Sequence, residues 1–78
     1  MRENLREIYR KLTREEKIVF DYFLKNVSVG EILAIRELSA IYKIKNPEQV
    51  INSLIAKGLL ERGSGCYNLA KELRVREK

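Results

Sequence analysis

Residues 46–69 read NPEQVINSLIAKGLLERGSGCYNL. This stretch predicts a capped helix, a glycine stop and a tight hairpin. Asn46 suits an N-cap, since its side-chain oxygen can accept from free N–H groups of the first turn. Pro47 suits the first helical position, where a missing N–H is not needed. Gln49 stands three residues after the cap, the place of the second member of a capping box. Val50, Ile51, Leu54 and Ile55 then recur at helical spacing. Gly58 suits the left-handed residue beyond a helix end. Two β-like runs follow, 59–62 and 66–69. The bracketing glycines Gly63 and Gly65 put a hairpin tip at Ser64.

Working back from there, residues 43–45 form a turn and 36–42 a short helix with Leu38, Ile41 and Tyr42 on one face. Ile32, Leu33 and Ile35 predict a strand over 31–35, preceded by a loop over 26–30. Thr13-Arg14-Glu15-Glu16 is a capping box that opens a helix ending near residue 25 or 26. Its apolar residues, Ile18, Val19, Phe20, Tyr22, Phe23 and Leu24, spread over well more than half of the circumference. An ordinary surface helix has a narrower apolar face. This helix is therefore expected to pack on two sides, against the core and against either the first helix or a partner subunit. Leu5, Ile8, Tyr9 and Leu12 form the stripe of an N-terminal helix over 4–12, too short to stand alone in water. Beyond the hairpin, 70–78 reads as a basic tail or a short helix. The expected fold class is α+β and mostly helical, in one domain over 1–78. Its parts are an N-terminal helix (1–12), a core (13–69) and the tail.

The chain has 78 residues, net charge +5, one cysteine and no histidine. A basic balance favours an anionic partner, nucleic acid above all. The excess lies at the ends: Arg2, Arg6, Arg10 and Lys11 against Glu3 and Glu7, then Lys71, Arg74, Arg76 and Lys78 against Glu72 and Glu77. Cys66 has no partner for an internal disulfide and reads as a small apolar residue. Without histidine and with one thiol, no zinc site is expected, and no cofactor. No metal cluster, phosphate loop or nucleophile beside a base points to an enzyme. No run is long enough to span a bilayer and no signal segment opens the chain, so an intracellular, cytoplasmic protein is expected, nucleoid-associated if it binds DNA. Abundant Ile, Lys, Arg and Glu with a single Gln is a mixture common in hyperthermophiles.

The order helix, strand, helix, turn, helix, hairpin resembles the winged helix-turn-helix superfamily, particularly its small archaeal and bacterial regulators. The resemblance covers 13–69 and is most specific over VINSLIAKGLLERGSGCYNL. It implies a three-helix core with a small antiparallel sheet and wing, here with an extra N-terminal helix. It implies a transcriptional regulator whose third helix (about 46–57) enters the major groove of double-stranded DNA while the wing (62–66) lies on the backbone. Carried over, the DNA contacts are Lys45, Gln49, Asn52, Ser53 and Lys57 on and beside the helix, with Arg62, Ser64 and Lys71 from the wing region. Asn52 and Gln49 have the chemistry to pair with adenine. No arginine stands on that face, although arginine to guanine is the commonest specific contact. A symmetric dimer would place two such helices one DNA turn apart. Leu5, Ile8, Tyr9, Leu12, Phe20 and Tyr22 would supply its interface, or that of another protein. The alternative is a winged helix that binds protein, as a small accessory subunit of a replication, transcription or repair complex such as a DNA polymerase holoenzyme.

Overall fold

The computed structural model describes residues 5–74. Its elements are α1 (Leu5–Arg10), α2 (Arg14–Asn26), β1 (Ser28–Gly30), α3 (Glu31–Ala40), α4 (Pro47–Ala56), β2 (Leu60–Arg62), β3 (Cys66–Leu69) and the single turn α5 (Lys71–Arg74). The chain is α+β, with one antiparallel sheet of order β1-β3-β2. The last part of the expected 70–78 tail and the head of the expected 4–12 helix lie outside the described residues.

Local chemistry explains most of the boundaries. Thr13 opens α2 with the expected reciprocal pair: Glu16 N–H donates to Thr13 Oγ1 at 3.1 Å, and Thr13 N–H to Glu16 Oε1 at 2.9 Å. Pro47 opens α4, but the Asn46 side chain makes no capping bond. Its ψ of 73° is far from the extended 172° of Thr13, the geometry that aims a capping oxygen into the first turn. The expected Asn46–Gln49 box is therefore absent. Two bonds close α4, Gly58 N–H to Ile55 O at 2.9 Å and Leu59 N–H to Leu54 O at 3.0 Å. With Gly58 at φ 80°, this is a Schellman stop. No atom lies within 4 Å of where a Cβ on Gly58 would sit. Gly58→Ala should then cost only the left-handed backbone penalty, about 1–2 kcal/mol. A lower urea midpoint at unchanged slope would register it; an unmoved midpoint would mean the turn relaxes.

The middle of the chain departs from expectation. The strand is Ser28–Gly30, not 31–35, and a helix runs Glu31–Ala40 in place of 36–42. A short apolar run cannot by itself separate strand from helix. Pairing decides: Val29 sits opposite Tyr67 and Gly30 opposite Cys66. Glu31 N–H then donates to Gly65 O at 3.0 Å, and the chain turns into α3. Coiled as a helix, the run sends Ala34 and Leu38 inward, each fully buried, and leaves Ile32 and Leu33 in solvent. In the following turn Lys43 adopts φ 59°, the conformation a glycine would ordinarily take. Ile44 is thereby tucked into the core.

The core lies between α2, α3, α4 and one face of the sheet. Its largest fully buried side chains include Tyr67, Phe20, Phe23, Leu38 and Ile51. The broad apolar arc of α2 is packed on two sides from within the chain, with Ile18 and Leu24 half-buried. Phe23 meets Tyr67 edge to face at 6.4 Å. Tyr9 of α1 lies 5.8 Å from Phe20, and Tyr42 lies 5.7 Å from Tyr22. The second side of α2 is thus taken by the first helix. Most of the side chains expected at a partner interface are used in this packing. Leu12, Phe20 and Tyr22 are buried, and Ile8 and Tyr9 are half-buried against the same core. The side chain of Leu5 lies outside the described residues.

Candidate functional site

Helix α4 buries Pro47, Ile51 and Leu54 and turns Glu48, Gln49 and Asn52 to solvent. To this extent the outward face is the one the helical period predicts. What those side chains touch is different. Ser53 Oγ donates to Glu16 Oε2 on α2, and Lys57 Nζ donates to the same oxygen at 2.8 Å. Asn52 Oδ1 accepts from Arg62 Nη2 at 3.0 Å. Arg62 also lies 3.8 Å from the Glu31 carboxylate and stacks 5.3 Å over the Tyr67 ring. So Asn52, Ser53, Lys57 and Arg62 are bound up in contacts that hold α4 to α2 and to the hairpin.

Lys45, Gln49 and Ser64 are exposed, and no described side chain pairs with them. The last of the expected contacts, Lys71, follows β3 at the base of the hairpin, where its N–H bonds to Glu61. Ser64 is at the tip. Six or so extended residues separate the two, roughly 20 Å.

Glu16 binds both its own helix start and α4. It was recognisable as the second half of the capping box. Its other oxygen anchors α4, 37 residues away in the chain. Glu16 is 6% exposed. Burial pushes its pKa up, but the bonds from Lys57, Ser53 and the Thr13 N–H outweigh that and hold it down to about 2. The only clue in the sequence is that Ser53 and Lys57 are four apart and share a helix face. Nothing local names the carboxylate they meet.

Tyr22 donates to Glu37 Oε1 at 2.5 Å. Burial first, then the Glu37 carboxylate, pushes the Tyr22 hydroxyl well above its ordinary range. Burial and Asp21 likewise raise Tyr9 to about 12. Both phenols stay neutral donors and serve to hold helices together. Among the described residues, no three His, Cys, Asp or Glu side chains gather where they could hold a metal ion. No described helix is long and apolar enough to cross a membrane.

Large apolar side chains do stand in solvent; apart from Val27 at the end of α2, 37% exposed, they belong to α3 and its end. Ile32 is 76% exposed, Leu33 49%, Ile41 64% and Tyr42 38%.

No curated protein matches the chain. Residues 13–75 match the model of a family described as PolB1 Binding Protein 2. The match begins at the Thr13 cap and takes in every element from α2 to α5. The chain is a member of the PolB1 Binding Protein 2 family.

Proposed function

We propose that this chain is a non-catalytic accessory protein of a DNA polymerase, and that its winged-helix arrangement serves protein contact rather than groove reading. The family match over 13–75 carries the reading. It favours the accessory-subunit alternative over a transcriptional regulator. The geometry of α4 supports the same choice. Sequence-specific reading needs free side chains at base edges, yet Asn52, Ser53, Lys57 and Arg62 are already engaged within the chain. Affinity for duplex grows with the number of phosphates neutralised. Of the four basic residues expected at DNA, only Lys45 and Lys71 have side chains without a described partner. Such a protein would work inside the cell, beside the polymerase.

Size-exclusion chromatography with the host's PolB1-type polymerase tests this. The expected result is a stoichiometric complex at about 0.15 M salt, where screening has weakened non-specific contacts. A 30-bp random duplex should leave the isolated chain's elution unchanged at that salt. Absence of a complex, or tight duplex binding by the chain alone, would overturn the reading.

A further inference from the structure

We infer that the outward face of α3 is the surface that docks on the polymerase, and that it takes an apolar surface rimmed with carboxylates. The inference rests on the polymerase-binding reading above and adds to it the place and chemistry of the contact. Two neighbouring ridges of α3, each spaced by four residues, make up this face. One is Ile32–Arg36–Ala40. The other is Leu33–Glu37–Ile41, the last residue continuing the helical backbone at φ −89° and ψ −43°. All are exposed except Glu37, which is half-buried and accepts from Tyr22. Two isoleucines and a leucine of α3 and its end thus stand in solvent, each more exposed than any other large apolar side chain described. A cluster of that kind on a small domain marks a contact surface.

Charge decides the occupant. The two acidic groups of α3 itself are occupied: Glu37 accepts from Tyr22, and Glu31 faces Arg62 at 3.8 Å. The cations Arg36, Lys43 and Lys45 are exposed, with no described partner. Arg36 therefore stands between the aliphatic groups at the two ends of the face, and Lys43 and Lys45 follow beyond its C-terminal end. A second copy of this chain fits poorly. Two-fold packing presents the same patch to itself and would bring Arg36 against its own equivalent. A partner with aliphatic residues flanked by Asp or Glu satisfies both parts of the face. Helix α4 offers no comparable patch, because its apolar residues point inward and its outward ones are polar.

Calorimetric titration of the polymerase with four proteins tests this: the natural chain, Ile32→Glu, Arg36→Glu and Gln49→Ala. Ile32→Glu should weaken binding by about 30-fold or more, the size of a hot-spot loss. Arg36→Glu should weaken it by roughly 10-fold and flatten its salt dependence. Gln49→Ala, on α4, should stay within about twofold, as a residue outside the contact does. Thermal melts accompany each variant. Should Ile32→Glu melt below the working temperature, Arg36→Glu decides, since it replaces one exposed charge by another. If the natural chain binds and neither α3 variant weakens it, the contact lies elsewhere; this inference then fails while the polymerase-binding reading stands. If the natural chain does not bind, that reading fails and takes this one with it. If the natural chain is a dimer that Ile32→Glu dissociates, the face belongs to a second copy and the inference is overturned.

Discussion

Glu16→Ala is expected to lower the unfolding free energy by about 2–4 kcal/mol at pH 7, a large effect for one side chain. Three losses combine. The capping box disappears, worth about 1 kcal/mol. The half-buried Ser53 hydroxyl loses its acceptor, about 1 kcal/mol. The pair with Lys57 is lost, and because Lys57 is 41% exposed this contributes less than a fully buried pair would. The pH dependence identifies the charge as the agent. The carboxylate titrates near 4.5 when unfolded and about 2 when folded. Its contribution is therefore complete above pH 4.5 and is lost as pH falls through 2. That span corresponds to about 3 kcal/mol. Urea melts of both proteins from pH 7 to pH 2 should converge on acidification. A gap that stays constant across that range would mean the ionised form of Glu16 is not what holds α4. The same variant bears on function. It releases Lys57 and Ser53 to the surface, so if α4 were a groove reader its affinity for duplex would rise.

How much of this was legible in the chain varies with how local the determining interactions are. The half from Pro47 onward could be read because its signals act within a few residues. Proline starts α4, Gly58 stops it, and Gly63 and Gly65 bracket the hairpin tip. The Thr13 box was readable for the same reason. The segment 28–41 was not, because Ile32-Leu33-Ala34-Ile35 fits either periodicity. What places the strand earlier is the pairing of Val29 with Tyr67, 38 positions on in the sequence. One misplaced element hid the proposed docking face. Read as a strand, one of Ile32 and Leu33 turns into the core; coiled as helix, both are left outside it. The partners of the expected DNA-contact residues were hidden for the same reason. The helical period gives the directions of Gln49 and Asn52 correctly. It is silent on Glu16 and on Arg62, which come from distant elements to claim Ser53, Lys57 and Asn52. Broad apolarity on α2 was read correctly as two-sided packing, but α1 and Tyr42 supply the second side from within.

That last point has a direct experimental consequence, since Phe20 stands among the residues expected at a partner interface. Phe20 is fully buried, with Tyr9 edge-on against it. Its truncation should cost about 3–5 kcal/mol through lost transfer energy and the cavity left behind. A domain of this size has roughly 5–10 kcal/mol in total, so the variant should sit near the edge of folding. Its Tm should fall by roughly 15–30 °C, given the small unfolding entropy of so short a chain. Binding to the polymerase would then be lost in step with unfolding. It should return, at close to natural affinity, at temperatures where the variant is still folded. Ile32→Glu should do the reverse, keeping its melting curve and losing affinity at every temperature. The two variants separate a residue that makes the domain from one that the domain presents. If Phe20→Ala melted within a few degrees of the natural chain and still failed to bind, Phe20 would have to reach the surface. The packing of α1 over α2 would then be wrong.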